Sequence, residues 1–429
     1  MRKIHLLGIG GVGMSALAQA YLDRGYAVGG ADRAYDAGTV TPVLAKLIAQ
    51  GVTMYPEDGS GIDSSLEALV VSTAIEPSNP GLAAASRNGV KVVHRAAALS
   101  SLLEGRKLLA VAGTCGKSTV TAMLGHLLAE TGFDPLVVNG AEVVGWDMGG
   151  KRVGSVRRGD GEFAVAEVDE SDRSLSVFNP YGAIVTNASA DHYSLEEMNE
   201  VFDAFSAKAT GPLIDGRTMR PEVRDGSFEF GGVCFEVPLP GVHNAVNAYN
   251  AVRMAAAVGA ELDALKAALA SFKGVSRRLE RMEGVFPVYD DYAHNPEKLH
   301  AMLTTLQKAH KGGVAVVWRP HGYAPLRKMM DALAAMFRET MRSEDALAIL
   351  PVYDAGGTAS RDVNSGMLAE RLGGIDAKAV ADFAEAGGFI FERAGRLGSI
   401  CVCGARDPDL PGFARDVSSR MDGLFKEVK

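Results

Sequence analysis

The chain has 429 residues, of which 47% are hydrophobic and 22% are charged, and its formal net charge is −8. That length suggests about three domains of roughly 150 residues each. No apolar run reaches the roughly 18 residues that span a membrane, so we expect no membrane partner, and the negative charge argues against a nucleic-acid partner. The first residues form a strand pattern without the apolar stretch of a signal peptide, and the four cysteines lack metal-site spacing. We therefore expect a cytoplasmic protein with reduced thiols.

The first predicted elements form a strand, a glycine turn and a helix. The apolar run 3–7 leads into Gly8-Ile9-Gly10-Gly11-Val12-Gly13, and helical periodicity follows over 14–23. A second strand over 27–31 ends at Asp32. Glycines in this position let a phosphate approach the backbone at a helix N-terminus. The pattern is typical of a Rossmann-like domain that binds a dinucleotide or another nucleotide diphosphate, and a tight turn without a ligand is the alternative.

A second glycine turn follows the predicted strand 108–112 and precedes a helix that runs to about residue 130. Its residues are Gly113, Thr114, Cys115, Gly116, Lys117, Ser118 and Thr119. Such a loop cradles phosphate oxygens with its N–H groups, while the lysine neutralises their charge and the serine hydroxyl binds Mg²⁺. Ala112 stands where the full consensus has glycine. The context of strand, loop and helix still predicts a phosphate-binding loop, and the alternative is a plain glycine turn with an exposed lysine.

Two further predicted strands end in polar clusters. The run 163–166 leads into Glu167, Asp169, Glu170 and Asp172, and the run 183–186 leads towards Asp191 and His192. Side chains at the carboxyl ends of parallel strands point into the crevice where α/β sheets bind ligands. We therefore predict that Glu167 binds Mg²⁺ and that the two clusters converge. Solvated loop acids and helix caps are the alternative.

In this order the motifs resemble the Mur ligase family of peptidoglycan synthesis over almost the whole chain, and within it the alanine-adding branch and the related recycling ligases. The matching segments are Gly8-Ile9-Gly10-Gly11-Val12-Gly13-Met14-Ser15, Ser72-Thr73-Ala74-Ile75, Ala166-Glu167-Val168-Asp169-Glu170-Ser171-Asp172, Ala190-Asp191-His192, Gly241-Val242-His243-Asn244-Ala245-Val246-Asn247-Ala248, Gly274-Val275-Ser276-Arg277-Arg278-Leu279-Glu280 and Tyr289-Asp290-Asp291-Tyr292-Ala293-His294-Asn295-Pro296. The resemblance implies an α/β fold with three domains: a Rossmann-like UDP-sugar domain at 1–104, a central P-loop ATP domain at 105–280 and a Rossmann-like amine-substrate domain at 281–429.

The resemblance also implies a reaction and its residues. ATP, with Mg²⁺, would phosphorylate the carboxylate of a UDP-linked muramyl substrate, and the amine of an amino acid or short peptide would then attack the acyl phosphate. Lys117, Glu167 and His192 would be catalytic, and Ser118, Glu167 and His192 would bind the metal. The phosphate loop (113–119), Asn244, Asn247, Arg278 and Asp291 would contact ATP, and His294 would contact the amine. The UDP-linked substrate would be bound by Gly10, Gly11, Val12, Gly13, Met14, Ser15, Asp32, Ser72 and Thr73. A monomer or homodimer is expected.

One departure from the family pattern concerns the amine. Two arginines that help to hold the amino acid in the alanine-adding branch are replaced here by Gly322 and Pro325. A carboxylate favours a bidentate guanidinium, so affinity for an amino acid depends on whether Arg319, Arg327 or Arg406 takes over. Three alternatives to the alanine-adding reaction follow: a recycling or other Mur-like ligase with another substrate, a nucleotide-binding protein without turnover, and a nicotinamide oxidoreductase, which leaves the phosphate loop and the acids unexplained.

Overall fold

The structure is a computed structural model that describes residues 1–170, 174–188, 194–219, 221–354, 360–405 and 407–426. The chain forms two compact units, Met1–Val275 and Ser276–Lys429. In the described part of the chain, every helix is too short or too polar to cross a lipid bilayer.

The first unit begins with a five-stranded parallel sheet. Its strands are β1 (Lys3–Leu7), β2 (Ala27–Ala31), β3 (Thr53–Met54), β4 (Ala68–Val71) and β5 (Val92–His94), and its helices are α1 (Val12–Asp23), α2 (Arg33–Asp36), α3 (Pro42–Ala49), α4 (Pro80–Arg87) and α5 (Arg95–Leu102). The strand order is β3-β2-β1-β4-β5. Because the order reverses at β1 and β4, a crevice opens at the carboxyl ends of these two strands, where the glycine turn and Ser72 follow.

The same unit continues with a six-stranded sheet in the order β11-β10-β6-β9-β7-β8. These strands are β6 (Lys107–Ala112), β7 (Leu136–Val138), β8 (Val156–Arg157), β9 (Phe163–Glu167), β10 (Gly182–Val185) and β11 (Leu213–Asp215), with helices α6 (Lys117–Glu130), α7 (Leu195–Ser206), α8 (Val242–Ala257) and α9 (Leu262–Ala270). All neighbours pair in parallel except β7 and β8. The apolar run of β6 is buried from Leu108 onward, as expected of a central parallel strand.

A small antiparallel sheet lies between α7 and α8 in the chain. It consists of β12 (Val223–Arg224), β13 (Ser227–Phe230) and β14 (Val233–Glu236). The rings of Phe228 and Phe235 stack across β13 and β14 with centroids 5.0 Å apart, and the ring of Tyr249 on α8 packs edge-on against Phe228. The sheet is thereby packed against the helix whose first two turns carry the predicted nucleotide-binding asparagines.

Polar contacts join the two large sheets within this unit. Arg152 pairs with Asp23 at 2.5 Å, and the Lys46 ammonium lies 3.0 Å from the Glu142 carboxylate. The helices between them share an apolar core that includes Leu17 of α1. The glycine turn after β1 and the carboxyl end of β9 are therefore held in one folded body.

The second unit is built on a six-stranded sheet in the order β15-β16-β20-β17-β18-β19. Its strands are β15 (Glu280–Arg281), β16 (Val288–Asp291), β17 (Gly313–Trp318), β18 (Ala346–Ile349), β19 (Ala377–Ala379) and β20 (Leu397–Cys403), and its helices are α10 (Pro296–Ala309), α11 (Tyr323–Thr340), α12 (Ser365–Glu370), α13 (Phe383–Phe391) and α14 (Leu410–Lys426). Only β15 pairs antiparallel. The α/β class with parallel sheets predicted from sequence is confirmed.

Candidate active site

Residues that directly follow β10 form hydrogen bonds with the loop between β6 and α6. The Cys115 N–H donates to Asn187 Oδ1 at 2.9 Å, and the Asn187 side-chain amide donates back to the Cys115 carbonyl at 2.9 Å. The Thr186 hydroxyl donates to the same carbonyl at 2.6 Å. Because β6 and β10 are adjacent parallel strands, their carboxyl ends meet at one edge and this clamp can form.

The ammonium of Lys117, the first residue of α6, makes three hydrogen bonds. Its ammonium donates to the Gly113 carbonyl at 2.7 Å and to both carboxylate oxygens of Glu170 at 2.9 Å. Burial raises the pKa of the Glu170 carboxyl, and the ammonium opposes that rise. The predicted phosphate loop thus contains a buried ion pair that sequence spacing does not reveal.

Glu167, the predicted metal ligand at the end of β9, is oriented by the backbone after β7. The Gly140 N–H donates to Glu167 Oε2 at 2.8 Å. The other oxygen accepts no hydrogen bond from any residue that the structure describes, so it can bind a cation. Ser118 lies in the first turn of α6 and is 7% exposed. A hydroxyl and a carboxylate oxygen are ligands that suit Mg²⁺.

The remaining predicted metal ligand, His192, lies outside the described residues, as do Asp172 and Asp191. Within the described ranges, no three His, Cys, Asp or Glu side chains come together in a group that could hold a metal ion. Metal binding by Ser118, Glu167 and His192 stays a prediction.

The N-terminal part of α8 lies against the phosphate loop. Asn244 and Asn247 are both buried there, and the Asn244 amide donates to the Pro240 carbonyl at 2.7 Å. Asn247 Oδ1 would lie 2.6 Å from a Cβ atom placed on Gly116. The structure therefore brings Asn247 next to the loop, more than 120 residues further along the chain, and the Asn247 amide lies 3.5 Å from Asn244 Oδ1.

At the glycine turn after β1, both carboxylate oxygens of Asp32 accept hydrogen bonds from backbone N–H groups. Its Oδ2 accepts the Gly10 N–H at 2.9 Å, and its Oδ1 accepts the Ala34 N–H at 2.9 Å. Met14 and Ser15 are in α1 with buried side chains, and the Ser15 hydroxyl donates to the Val12 carbonyl. The N–H groups of the first turn of α1 are the part of this segment that suits a phosphate.

The other residues predicted for the UDP-linked substrate lie beside this turn. Ser72 and Thr73 come directly after β4, the neighbour of β1, and Thr73 is exposed. Gly11 and Gly13 flank the start of α1, and a Cβ atom on Gly13 would overlap the Arg95 guanidinium. These positions share one edge of the first sheet.

A cavity of about 210 Å³ opens between the two large sheets of the first unit. Its lining includes Gly13 and Arg95 on one side and Gly140, Glu167 and Asp169 on the other. The Arg95 guanidinium lies 3.5 Å from the Asp169 carboxylate across it. The cavity therefore connects the predicted substrate turn with the predicted metal ligand.

The second unit places Asp291 at the carboxyl end of β16 in a structural role. Its Oδ2 accepts the Leu279 N–H at 2.7 Å and its Oδ1 accepts the Ala293 N–H at 2.7 Å, and burial raises its pKa. Both oxygens are thus engaged within the unit. Arg278 is also predicted to contact the nucleotide. Its guanidinium lies 5.4 Å from the centre of the Tyr292 ring.

His294, the predicted amine contact, lies at the same edge of the second unit. Its Nδ1 lies 2.8 Å from the Tyr292 carbonyl, so Nδ1 carries the proton and Nε2 is an acceptor. Burial lowers the pKa of His294 to about 4, so the imidazole is neutral at pH 7. The ring of His321 packs edge-on against it with centroids 4.8 Å apart.

Arg319, directly after β17, is a further cation at this edge. Its guanidinium pairs with Asp407 at 2.5 Å and donates to the Pro351 carbonyl at 3.2 Å. Arg327 pairs instead with the exposed carboxylate of Asp362. Arg406 lies outside the described residues.

Three sequence-family models match the chain in succession. They are "Mur ligase family, catalytic domain" over residues 3–107, "Mur ligase middle domain" over residues 111–210, and "Mur ligase, glutamate ligase domain" over residues 277–406. The three-domain organisation predicted from sequence is confirmed by this succession, while the boundaries after residues 104 and 280 stay predictions.

Relatives and solved structures agree with these matches. The chain is 31% identical to a UDP-N-acetylmuramate–L-alanine ligase of Jannaschia sp., over 99% of this chain and 96% of that protein. Its fold is similar to that of the UDP-N-acetylmuramate-alanine ligase of Thermotoga maritima, with a TM-score of 0.76, 24% identity and full coverage of both chains. A murein peptide ligase of Psychrobacter arcticus has a TM-score of 0.62 and 19% identity, over 98% of this chain and 99% of that one. The chain therefore belongs to the Mur ligase family and is an ATP-dependent ligase of peptidoglycan synthesis that joins an acid to an amino acid through an amide bond.

Proposed function

We propose that this ligase couples the carboxylate of UDP-N-acetylmuramate to the amine of L-alanine. The observation that carries the proposal is the similarity to a UDP-N-acetylmuramate–L-alanine ligase over 99% of the chain. The phosphate loop with Lys117, the oriented carboxylate of Glu167 and the cavity beside the glycine turn support it, since this chemistry needs each of them.

In the first step a carboxylate oxygen of the substrate attacks the γ-phosphorus of ATP, the bond to the β,γ-bridging oxygen breaks, and an acyl phosphate and ADP form. The loop N–H groups bind phosphate oxygens at the start of α6. Lys117 stabilises the charge on the transferring group. Asn244 and Asn247 have amides that can both donate to and accept from the adenine, and Asn247 lies beside the loop.

Mg²⁺ bound at Ser118, Glu167 and His192 would screen the repulsion between the phosphates and the substrate carboxylate. The chain's own contribution is to orient the ligands. Gly140 holds one oxygen of Glu167 and leaves the other for the cation, and the helix α6 fixes the position of Ser118.

The UDP-linked substrate binds, in this proposal, with its diphosphate at the N-terminus of α1 and its sugar in the cavity of the first unit. The cavity leads from Gly13 to Glu167, which are the two ends that the substrate has to reach. We assign this role to residues 1–104, ATP binding to residues 105–280, and amine binding to residues 281–429.

In the second step the amine nitrogen attacks the acyl carbon, phosphate leaves, one amine proton is released to solvent and the amide forms. The nucleophile is the neutral amine, so a hydrogen-bond acceptor has to meet its N–H. The neutral His294 offers Nε2 for that purpose, because its Nδ1 is occupied by the Tyr292 carbonyl. We propose His294 as the amine contact.

The proposal is tested by measuring phosphate release from ATP and Mg²⁺ with UDP-N-acetylmuramate and a panel of amino acids and short peptides, and by identifying the coupled product by mass. Release with L-alanine that Lys117→Ala abolishes is the expected result. An absence of coupled product with every amine, in a protein that still binds ATP, would contradict the proposal.

A second candidate is a ligase that adds a peptide amine. The observation that favours it is the presence of Gly322 and Pro325 where the alanine-adding branch has arginines for the amino-acid carboxylate. A peptide places its carboxylate further from the reacting nitrogen and does not need those arginines. In the same panel, coupling of a tripeptide at lower KM than L-alanine would select this candidate.

A further inference from the structure

The ion pair of Lys117 and Glu170 uses the whole hydrogen-bonding capacity of the lysine. An ammonium has three N–H donors and accepts nothing. In this structure the three donors meet Gly113 O at 2.7 Å and the two Glu170 oxygens at 2.9 Å. The lysine side chain is 15% exposed and that of Glu170 is 5% exposed, so water contributes little. A phosphate oxygen can therefore bind Lys117 only by replacing a partner that is already present.

The position of Glu170 follows from the order of the strands. Strand β9 lies between β6 and β7 in the sheet, so the acids after β9 can reach either neighbour. Glu167 turns to the β7 side and binds the Gly140 N–H, whereas Glu170 turns to the β6 side and binds Lys117. The Val168 N–H donates to the Val111 carbonyl at 3.0 Å, which keeps the segment next to β6 beyond the end of the strand. Two acids three residues apart thus have separate tasks.

We propose that Glu170 competes with the phosphates of the nucleotide for Lys117, holding the ammonium while the loop is empty and releasing it when a nucleotide binds. The inference rests on the proposed ATP site. A carboxylate presents two anionic oxygens to the ammonium, as a phosphate does, so the two ligands are alternatives at one cation. Glu170 is a positioning residue, because it acts on the reaction only through Lys117.

The exchange has an energetic consequence. Glu170 is buried, and a buried carboxylate that loses its counter-ion is unfavourable. Each nucleotide that binds the loop has to supply this free energy, which lowers the affinity for ATP and for ADP alike. When ADP leaves, the ion pair forms again. Glu170 therefore favours release of the product nucleotide at the end of each turnover.

The test is calorimetric titration of ADP and of a non-hydrolysable ATP analogue into the full chain, comparing the wild type with Glu170→Gln. The amide keeps the shape and removes the charge, so the competing interaction is weakened. We expect the Kd for both nucleotides to fall roughly tenfold, the value of one charge-assisted hydrogen bond. In steady-state assays the KM for ATP should fall as well. A residue that merely braces the loop would give the opposite result, since its loss would weaken nucleotide binding.

Glu162→Gln is the matched control. Glu162 directly precedes β9, at the end of the strand opposite to Glu170, and it pairs with the exposed Lys107 at 2.8 Å. The Glu162→Gln variant makes the same change in net charge away from the loop, so its Kd values for both nucleotides should equal those of the wild type. Glu170→Asp is a second variant, because its shorter side chain keeps the charge but cannot reach the ammonium with both oxygens; we expect an intermediate Kd.

The outcomes separate the inference from the proposed function. Wild-type protein that fails to bind ADP would disprove the ATP site itself. Suppose that the wild type binds ADP, and that Glu170→Gln has an unchanged melting temperature but binds ADP with equal or weaker affinity. That result would disprove the competition and leave the ATP site intact. If Glu170→Gln does not fold, Glu170→Asp decides: tighter binding than the wild type supports the competition, and equal or weaker binding contradicts it.

Discussion

The backbone N–H of Gly140 donates to the carboxylate of Glu167 at 2.8 Å, so the segment that follows β7 orients a residue of the neighbouring strand β9. A Cβ atom on Gly140 would lie 2.5 Å from the Glu167 carboxyl carbon, which no side chain can tolerate without moving. A side chain at position 140 would therefore displace the carboxylate that is proposed to bind Mg²⁺.

We therefore predict that Gly140→Ala displaces Glu167 and lowers kcat/KM roughly 10- to 100-fold, as loss of an orienting partner of a metal ligand does. The Mg²⁺ concentration at half-maximal activity should rise in the same assay. Gly373→Ala is the control, because a Cβ atom there meets no atom within 4 Å. Gly140→Ala protein with wild-type dependence on Mg²⁺ would contradict the role of this contact.

A second prediction concerns Gly116 in the phosphate loop, where φ is +86° and a Cβ atom would lie 2.6 Å from Asn247 Oδ1. Gly116→Ala combines backbone strain of about 1–2 kcal/mol with this clash, so it should abolish ADP binding and lower the free energy of unfolding by more than the strain alone. Gly25→Ala separates the two effects. Gly25 has φ of +77° with open space around it, so that variant should show the strain and bind ADP normally. Calorimetry and urea unfolding of both variants measure the difference.

The elements around the phosphate loop could be predicted because local signals define them. A continuous apolar run ends at a glycine turn, and the observed bounds of β6 (Lys107–Ala112) and α6 (Lys117–Glu130) agree closely with the predicted strand 108–112 and helix to about 130. Helix starts were less accurate. Helix α1 begins at Val12, not at residue 14, because the Ser15 N–H already bonds to the Gly11 carbonyl one turn earlier.

The small antiparallel sheet was not predicted, although its hairpin carries a signal. Gly231 and Gly232 both have positive φ and join β13 to β14, as expected of a two-residue hairpin turn. The strands themselves are too short to show a clear alternation. Contacts between distant residues could not be predicted at all. Lys117 meets Glu170 and Gly140 meets Glu167 only because β9 is inserted between β6 and β7, and nothing local specifies that order.

A third prediction concerns pH and the buried carboxyl of Asp290. This side chain is fully buried, and burial raises its pKa to about 7 although Arg277 opposes the rise. In the unfolded chain the pKa is about 3.9. Between these two values the folded state binds more protons than the unfolded state, so the stability of the fold declines as the pH rises through this window and has lost this contribution above pH 7.

Asp290→Asn replaces the carboxyl by a neutral group of the same shape and should remove that decline. The free energy of unfolding of the variant, relative to the wild type, should be higher at pH 8 than at pH 5 by about 3 kcal/mol, because about two pKa units of the window lie above pH 5. Arg277 still donates to the Gly404 and Ala405 carbonyls in the variant. Urea unfolding at both pH values measures the effect, and an equal difference at pH 5 and pH 8 would refute it.

The last prediction concerns the carboxylate of the amine substrate. Of the arginines that remain near Gly322 and Pro325, Arg319 directly follows β17, two residues from His321, and Asp407 holds it in place. Arg327 lies on α11 and is neutralised by the exposed Asp362. Arg319 is therefore better placed than Arg327 to bind a carboxylate at this edge of the unit, with N–H groups beyond those used by Asp407 and Pro351.

We expect Arg319→Gln to raise the KM for L-alanine roughly tenfold or more, because a charge-assisted hydrogen bond is lost, and to leave the KM for ATP unchanged. Arg327→Gln is the matched control and should change neither value. Alaninamide has the same amine and no carboxylate, so the variant and the wild type should use it equally well. An equal rise in KM for L-alanine and alaninamide would mean that Arg319 supports the fold of the edge and does not bind the carboxylate.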